Sequence, residues 1–248
     1  MRKNNINFAE EVDSFDPFIL VKELERRVLF EDNHLIIVVK RAGEIVQGDK
    51  TKDIPLVEMI KYYLKIKYNK QGNVFCGLVH RIDRPVGGIV IFAKTSKALS
   101  RMNTLIKERE IKKTYWALTE KPLPNSEGTL IGYLKKNEQQ NKSYHSFKPI
   151  KSYKYAELSY KILDYTDRYV LTEIDLVTGR HHQIRAQLAA NGAVIKGDLK
   201  YGAKRSNPDG SISLYAKKIT FEHPVSHQMI TVEYTPDFFK PKRDHEPK

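Results

Sequence analysis

A chain of 248 residues with 43 lysines and arginines against 30 aspartates and glutamates has a formal charge of +13. Such a surplus attracts polyanions, nucleic acid first. The single cysteine, Cys76, excludes an internal disulfide framework and fits a cytoplasmic setting. No apolar run nears membrane-spanning length and none forms a signal-peptide core, which argues against the membrane and secretion.

Residues 1–27 mix Arg2, Lys3, Lys22, Arg26 and Arg27 with six acidic residues, and read as an arm, partly helical after Pro17. Residues 27–39 read as a hairpin: Val28-Leu29-Phe30, a turn at Asp32-Asn33, then Leu35 to Val39. From Pro55 to Lys67, the positions Leu56, Met59, Ile60, Tyr63 and Leu64 share a helical face, with Pro55 suited to the first turn. Lys61, Lys65 and Lys67 are then a solvated face. Cys76 is expected as a small core residue.

The stretch Leu78 to Ala93, LVHRIDRPVGGIVIFA, is the most informative in the chain. Its kernel sets Asp83 between Arg81 and Arg84, with Pro85 presetting one backbone angle. Gly87-Gly88 allows a tight turn or close approach to a ligand. Ile89 to Ala93 reads as a buried strand rich in β-branched residues. A carboxylate on a loop fixed by a strand suits catalysis. Taken alone, the pattern fits a surface ion-pair cluster equally well.

Thr95-Ser96 can cap a helix over Lys97 to Arg109, with Leu99, Met102, Leu105 and Ile106 inward. Between Lys112 and Lys154 there are nine lysines against three glutamates, interleaved with Tyr115, Trp116, Tyr133, Tyr144, Phe147 and Tyr153. Cations with flat rings suit a flexible RNA strand. The alternation around Trp116 is read as a two-faced strand. Lys135 to Tyr153 is a long loop or hairpin, expected to clamp RNA, with an ordinary mobile loop as the other reading. Tyr155 to Leu163 and Arg168 to Val177 read as paired strands. His182 to Ala190 reads as a helix carrying Arg185 in its first turns. Leu214 to Glu222 and Met229 to Tyr234 read as closing strands, and residues 240–248 as a charged tail.

Three segments then stand in order: His80-Arg81-Ile82-Asp83-Arg84-Pro85-Val86-Gly87-Gly88, Lys113-Thr114-Tyr115-Trp116-Ala117, and Thr178-Gly179-Arg180-His181-His182-Gln183-Ile184-Arg185 followed by Gly197-Asp198 and Tyr201-Gly202. Together they resemble the RluA family of pseudouridine synthases, over roughly Leu29 to Tyr234. The resemblance implies an α+β fold: one catalytic domain over residues 28–239, with a central, mostly antiparallel mixed sheet, flanking helices and a basic cleft across the sheet. It also implies that Asp83 is the catalytic aspartate, that Arg185 pairs with it and keeps it ionised, and that Tyr115 is the family's tyrosine, its ring stacking on the uracil and its hydroxyl relaying the C5 proton. Arginine suits this pairing because its planar fork can hold a carboxylate through two hydrogen bonds. Arg84, Arg180, His182 and Lys113 are the expected RNA contacts, Arg84 as a wedge or phosphate ligand. His80 and Arg81 are expected to shape the loop. Three positions depart from the family's pattern: Arg41 stands where a proline is usual, Gly87 where serine is common, and Gln187 where histidine is common.

The resemblance implies isomerisation of uridine to pseudouridine in structured RNA, ribosomal or transfer. No redox change occurs and no external group moves, so no cofactor is expected. The carboxylate could attack C1′, attack the uracil ring or take a ribose proton, and the sequence does not choose. The N-terminal arm is too short for the S4-type RNA-binding domain of many members, so RNA affinity is expected from the catalytic domain, acting as a monomer. The competing reading is a catalytically silent RNA-binding or ribosome-assembly factor using the same cleft. A DNA-binding role has no helix-turn-helix or zinc module to support it. The histidines lack ligand-spaced companions, so no metal site is expected.

Overall fold

The structure is a computed structural model that describes residues 17–49, 51 and 53–235. The expected charged tail, residues 240–248, and the first part of the expected arm lie outside the described residues.

The chain opens on α1 (Pro17–Glu25), which places Leu24 in the core. The expected hairpin follows as β1 (Val28–Glu31) and β2 (Leu35–Lys40). Its turn is held by the Asp32 carboxylate, which accepts from the N–H groups of His34 and Leu35. Next come α2 (Leu56–Lys67), β3 (Gly77–Leu78), β4 (Gly87–Ala93) and α3 (Ser96–Glu108). Pro55 is the residue before α2 and not part of its first turn, while Thr95 caps α3 by accepting from the Ala98 N–H. The second half runs β5 (Lys112–Thr119), β6 (Glu127–Asn137), β7 (Lys142–Ser146), β8 (Lys154–Tyr165), β9 (Val170–Leu176), α4 (Gln183–Ala190), a 3-10 turn (Leu199–Tyr201), β10 (Leu214–Glu222) and β11 (Met229–Glu233).

The strands form one sheet in the order β1-β2-β4-β10-β5-β9-β8-β6-β7. The pairing of β10 with β4 is parallel and the other pairings are antiparallel, so the fold is the expected α+β with a mostly antiparallel mixed sheet. Alternation along β2 and β4 explains the two-sided core. Ile36, Val38, Val90 and Phe92 face α2, joined by Leu56, Ile60 and Leu64. Leu35, Ile37, Ile89 and Ile91 face α3, joined by Ala98 and Met102. Ile184 and Leu188 of α4 extend the first of these layers. Cys76 is buried as expected, and burial pushes its thiol up to about 12. No described helix is long and apolar enough to cross a membrane.

The glycine pair serves the sheet, not a ligand. Gly87 and Gly88 face Tyr215 and Ala216 across the parallel pairing. A Cβ on Gly87 would come within 2.7 Å of the Tyr215 ring, and one on Gly88 within 2.4 Å of the Ala216 carbonyl oxygen. Gly88 also has φ +121, open to glycine at little cost.

Candidate active site

The loop from β3 to β4 carries Asp83, and its backbone is tied down carbonyl by carbonyl. Val86 N–H donates to the Asp83 carbonyl, Gly43 N–H to that of Arg84, and Ile212 N–H to that of Pro85. The fully buried Lys40 Nζ donates to the carbonyls of Arg41, Arg84 and Val86 at 2.9, 3.1 and 2.7 Å. Burial lowers this ammonium to about 8. Arg41, in place of the usual proline, donates its N–H to Glu44 and pairs with Glu23 at 2.7 Å. A proline there would have no N–H for Glu44.

Arg185, 5% exposed on α4, reaches Asp83 across the cleft: Nη1 lies 3.1 Å from Asp83 Oδ2. Its two-pronged edge goes elsewhere. Nε and Nη2 donate to Oδ2 and Oδ1 of Asp198 at 2.7 and 2.8 Å, with Asp198 itself 1% exposed. The expected Arg185–Asp83 pair is therefore present through one nitrogen, and Asp198 receives the fork. Asp198 was visible in the third motif but had no role there.

His182 completes the cluster. It sits at φ +51, directly before α4, with Nε2 3.3 Å from Asp83 Oδ2 and 3.0 Å from Arg185 Nη1. Its Nδ1 lies 3.0 Å from the Tyr201 hydroxyl, which donates onward to the Ser143 carbonyl. The network assigns the proton to Nδ1 and leaves Nε2 to accept from Arg185. Burial, then the Arg185 charge, pushes this imidazole down to about 2, so it is neutral. His182, expected among the RNA contacts, is 7% exposed and holds Arg185 by accepting at Nε2.

A cavity of about 280 Å³ opens beside Asp83, walled by Tyr115, Lys113, Leu176, Ile184 and Leu214 and bordered by Arg180. Tyr115 is buried, and burial followed by the Asp83 charge raises its hydroxyl above the usual tyrosine range. It stays a neutral phenol, so it can relay a proton only by giving one up as it takes one. Lys113, two residues earlier on β5, is half-buried with its pKa lowered by burial. Arg180 Nε donates to the Tyr155 carbonyl at 2.9 Å.

On the other side of Asp83 lies a groove of about 420 Å³, lined by Arg81, Arg84, Lys136, His181 and Lys200. Arg84 is on this rim and pairs with Asp53 at 2.5 Å. The segment expected as a hairpin or long loop is the β6–β7 hairpin. Its tip is fixed at the groove: Lys200 Nζ donates to the Asn141 carbonyl and Ser143 Oγ to the His181 carbonyl. Trp116 is half-buried on the two-faced strand, its Nε1 donating to Glu173 at 2.9 Å. Gln187, the third departure, is fully buried and donates to the carbonyls of Leu130 and Ala156, tying α4 to the sheet.

The family model described as RNA pseudouridylate synthase matches residues 34–190. A protein named Ribosomal large subunit pseudouridine synthase C from Vibrio parahaemolyticus is 31% identical over 220 residues, 86% of this chain and 66% of its own length. Uncharacterized RNA pseudouridine synthase YhcT from Bacillus subtilis is 27% identical over 238 residues, 94% of this chain and 76% of its own. The chain thus spans about two thirds of the Vibrio relative. The solved structure of Human RNA Pseudouridylate Synthase Domain Containing 4 superposes with a TM-score of 0.75 over 91% of this chain and 95% of that one, at 20% identity, a likeness of fold.

Proposed function

We propose that this chain, which belongs to the RNA pseudouridylate synthase family, isomerises uridine to pseudouridine in structured RNA with Asp83 as the catalytic carboxylate. The observation that carries the reading is the Asp83–Arg185–Asp198 arrangement at the mouth of a cavity walled by Tyr115. A carboxylate entering a partly desolvated site tends to lose its charge, and a guanidinium beside it opposes that. Arg185 supplies the guanidinium, and its own aim is fixed by Asp198.

The target base must leave its stack to reach the cavity, because Asp83 stands between cavity and groove. Tyr115 packs against the uracil, and Arg180 and Lys113 border the same space. Lys136, Lys200 and Arg81 hold RNA phosphates along the groove, with the β6–β7 hairpin as one wall. Arg84 joins them by exchanging Asp53 for a phosphate. The catalytic unit is residues 28–239, working as a monomer in the cytoplasm without a cofactor. Ribosomal RNA is the first substrate to try, since the Vibrio relative's name refers to the large ribosomal subunit. Transfer RNA is the second.

The test is RNA tritiated at uracil C5, incubated with wild type and Asp83→Asn and no added cofactor. Tritium release by wild type alone supports the reading. RNA binding with no release from ribosomal or transfer RNA by either protein would favour the silent RNA-binding factor.

A further inference from the structure

Lys113 stands out among the charged groups of the cavity. Asp83, Asp198 and Arg185 satisfy one another, and His182 is neutral between them. Lys113 is a half-buried ammonium with no hydrogen bond or ion pair to any described residue, and Asp83 is the one acidic residue on the cavity wall. Its Nζ lies 3.7 Å from where a Cβ on Gly179 would stand. It marks the boundary between this cavity and a second one, of about 310 Å³, that opens past Lys107, Arg109 and Thr178. A half-buried cation left without a counter-ion is unfavourable unless a ligand supplies the negative charge.

His80 lines the same cavity. Its Nε2 accepts from the Ile91 N–H at 3.3 Å, so the ring proton sits on Nδ1, which makes no hydrogen bond to any described residue. Burial, then the Lys113 charge, pushes this imidazole down to about 3, so it serves as a neutral donor. The cavity therefore offers one ammonium and one imidazole N–H beside Tyr115. A base bound there presents two carbonyl oxygens if it is uracil.

We propose that Lys113 is a catalytic residue that stabilises the negative charge formed on the uracil ring during isomerisation, with His80 Nδ1–H as a second donor to the same ring. The inference rests on the pseudouridine synthase reading and goes beyond it, since it assigns the far side of the reaction from Asp83. When the N1–C1′ bond breaks, its electron pair stays on uracil N1 and spreads to O2 and O4. The electron-poor C1′ is met by the Asp83 carboxylate, or the sugar gives up a proton to it. The ring then turns and its electron pair forms the C5–C1′ bond as the Asp83 oxygen leaves C1′, or as Asp83 returns the proton it took from the sugar. The C5 proton is then lost while N1 gains one, which restores the aromatic neutral base and the free carboxylate. No oxidant or reductant takes part. Attack by Asp83 on the ring itself also leaves negative charge on the uracil, so Lys113 has the same role by that route.

The same residues would distinguish uracil from cytosine. Cytosine replaces O4 with an amino group, whose lone pair is drawn into the ring so that it donates and does not accept, which leaves a buried N–H facing another.

The decisive experiment compares wild type, Lys113→Met and Lys113→Arg in single turnover on two RNAs of the same sequence, one with uridine and one with 5-fluorouridine at the target. Loss of the N1-linked nucleoside is read by chromatography after digestion, and RNA affinity is measured in parallel. Fluorine withdraws electron density and makes the ring a better leaving group. Lys113→Met should slow uridine about 100-fold, as loss of one charge-stabilising donor does. It should slow 5-fluorouridine about tenfold less than that, with RNA affinity unchanged and Lys113→Arg recovering much of the rate. Equal slowing on both RNAs would overturn the proposal and make Lys113 a structural residue, which thermal melting of both variants would reveal. Weakened RNA binding at an unchanged rate would overturn it in favour of a phosphate contact. A Lys113→Met enzyme as fast as an active wild type removes this inference and leaves the pseudouridine synthase reading standing. A wild type that turns over neither uridine RNA nor its fluorinated form removes both.

Discussion

Arg185 turns its two-pronged edge to Asp198 and gives Asp83 a single N–H. This division separates two tasks. Asp198, fully buried, fixes the guanidinium plane; Asp83, at the cleft with its side chain 28% exposed, receives charge while keeping an oxygen free for chemistry. Had Asp83 taken the fork, both its oxygens would be occupied by hydrogen bonds that a reacting carboxylate must break.

Asp198→Asn should therefore impair catalysis without touching any atom at the cleft surface. The buried guanidinium would lose its main counter-charge, and breaking a buried pair destabilises by about 3–5 kcal/mol. Turnover should fall about 100-fold, because a small misplacement of a positioning group is costly. RNA affinity should change little. Urea melts and tritium release check both, and full activity would show that Asp83 alone can orient Arg185.

Much of this arrangement could be read from sequence, and the unread part has a common physical cause. The strands and helices announced themselves by period, and the Asp83–Arg185 pair came with the motifs. Asp198 lay in plain view thirteen residues past Arg185, but spacing along a chain does not reveal which carboxylate takes the fork. Lys40 was unreadable as an anchor because its partners are main-chain carbonyls, which carry no residue code. Arg84 was read as free for RNA because Asp53 lies in an aperiodic loop that only the fold brings near. His182 was expected to contact RNA, and its burial could not be foreseen because it depends on α4 packing over the 3-10 turn.

Gly87 marks where this chain and the usual family pattern part, and Tyr215 supplies the reason. Gly87→Ser would press its Cβ to 2.7 Å from the Tyr215 ring in a fully buried strand. Overpacking of this kind destabilises by about 1–3 kcal/mol. Gly87→Ser with Tyr215→Leu should recover part of the loss, a coupling that a double-mutant cycle by thermal or urea melts measures directly. Additive effects would mean that the strand shifts instead of the ring.

Lys40 should hold the Asp83 loop more than it holds the fold. Lys40→Met removes the donor to the Val86 carbonyl, worth about 1–3 kcal/mol when buried, and leaves the Arg84 carbonyl with the Gly43 N–H alone. Amide exchange at Asp83, Arg84 and Val86 should rise and tritium release should drop. The ammonium titrates near 8 when folded because burial disfavours its charge, against 10.5 for an ordinary lysine. Between those values the unfolded chain binds the extra proton, so this group makes stability rise with pH over that window. Melts of wild type and Lys40→Met at pH 7.5 and 10 should differ in that slope, the variant lacking the rise.

Glu31 gives a slope of the same sign at the acid end. Its side chain is 7% exposed at the end of β1 and pairs with Lys67 and Lys94, each at 2.8 Å, while the Tyr68 hydroxyl donates at 2.7 Å. Burial alone would raise this carboxyl; the hydrogen bonds from Lys67, Lys94 and Tyr68 outweigh it and hold it at about 2, against 4.5 unperturbed. The stability it contributes is complete above about 4.5 and is lost as pH falls toward 2. It amounts to something on the order of 2–3 kcal/mol. Glu31→Gln should lower the urea midpoint at pH 7 and narrow its gap to wild type as pH falls through that window. The site near Asp83 lies away from this cluster, so tritium release at pH 7 should survive the change. A constant gap from pH 6 to 3 would mean that Glu31 holds β1 to α2 by shape alone and not by its charge.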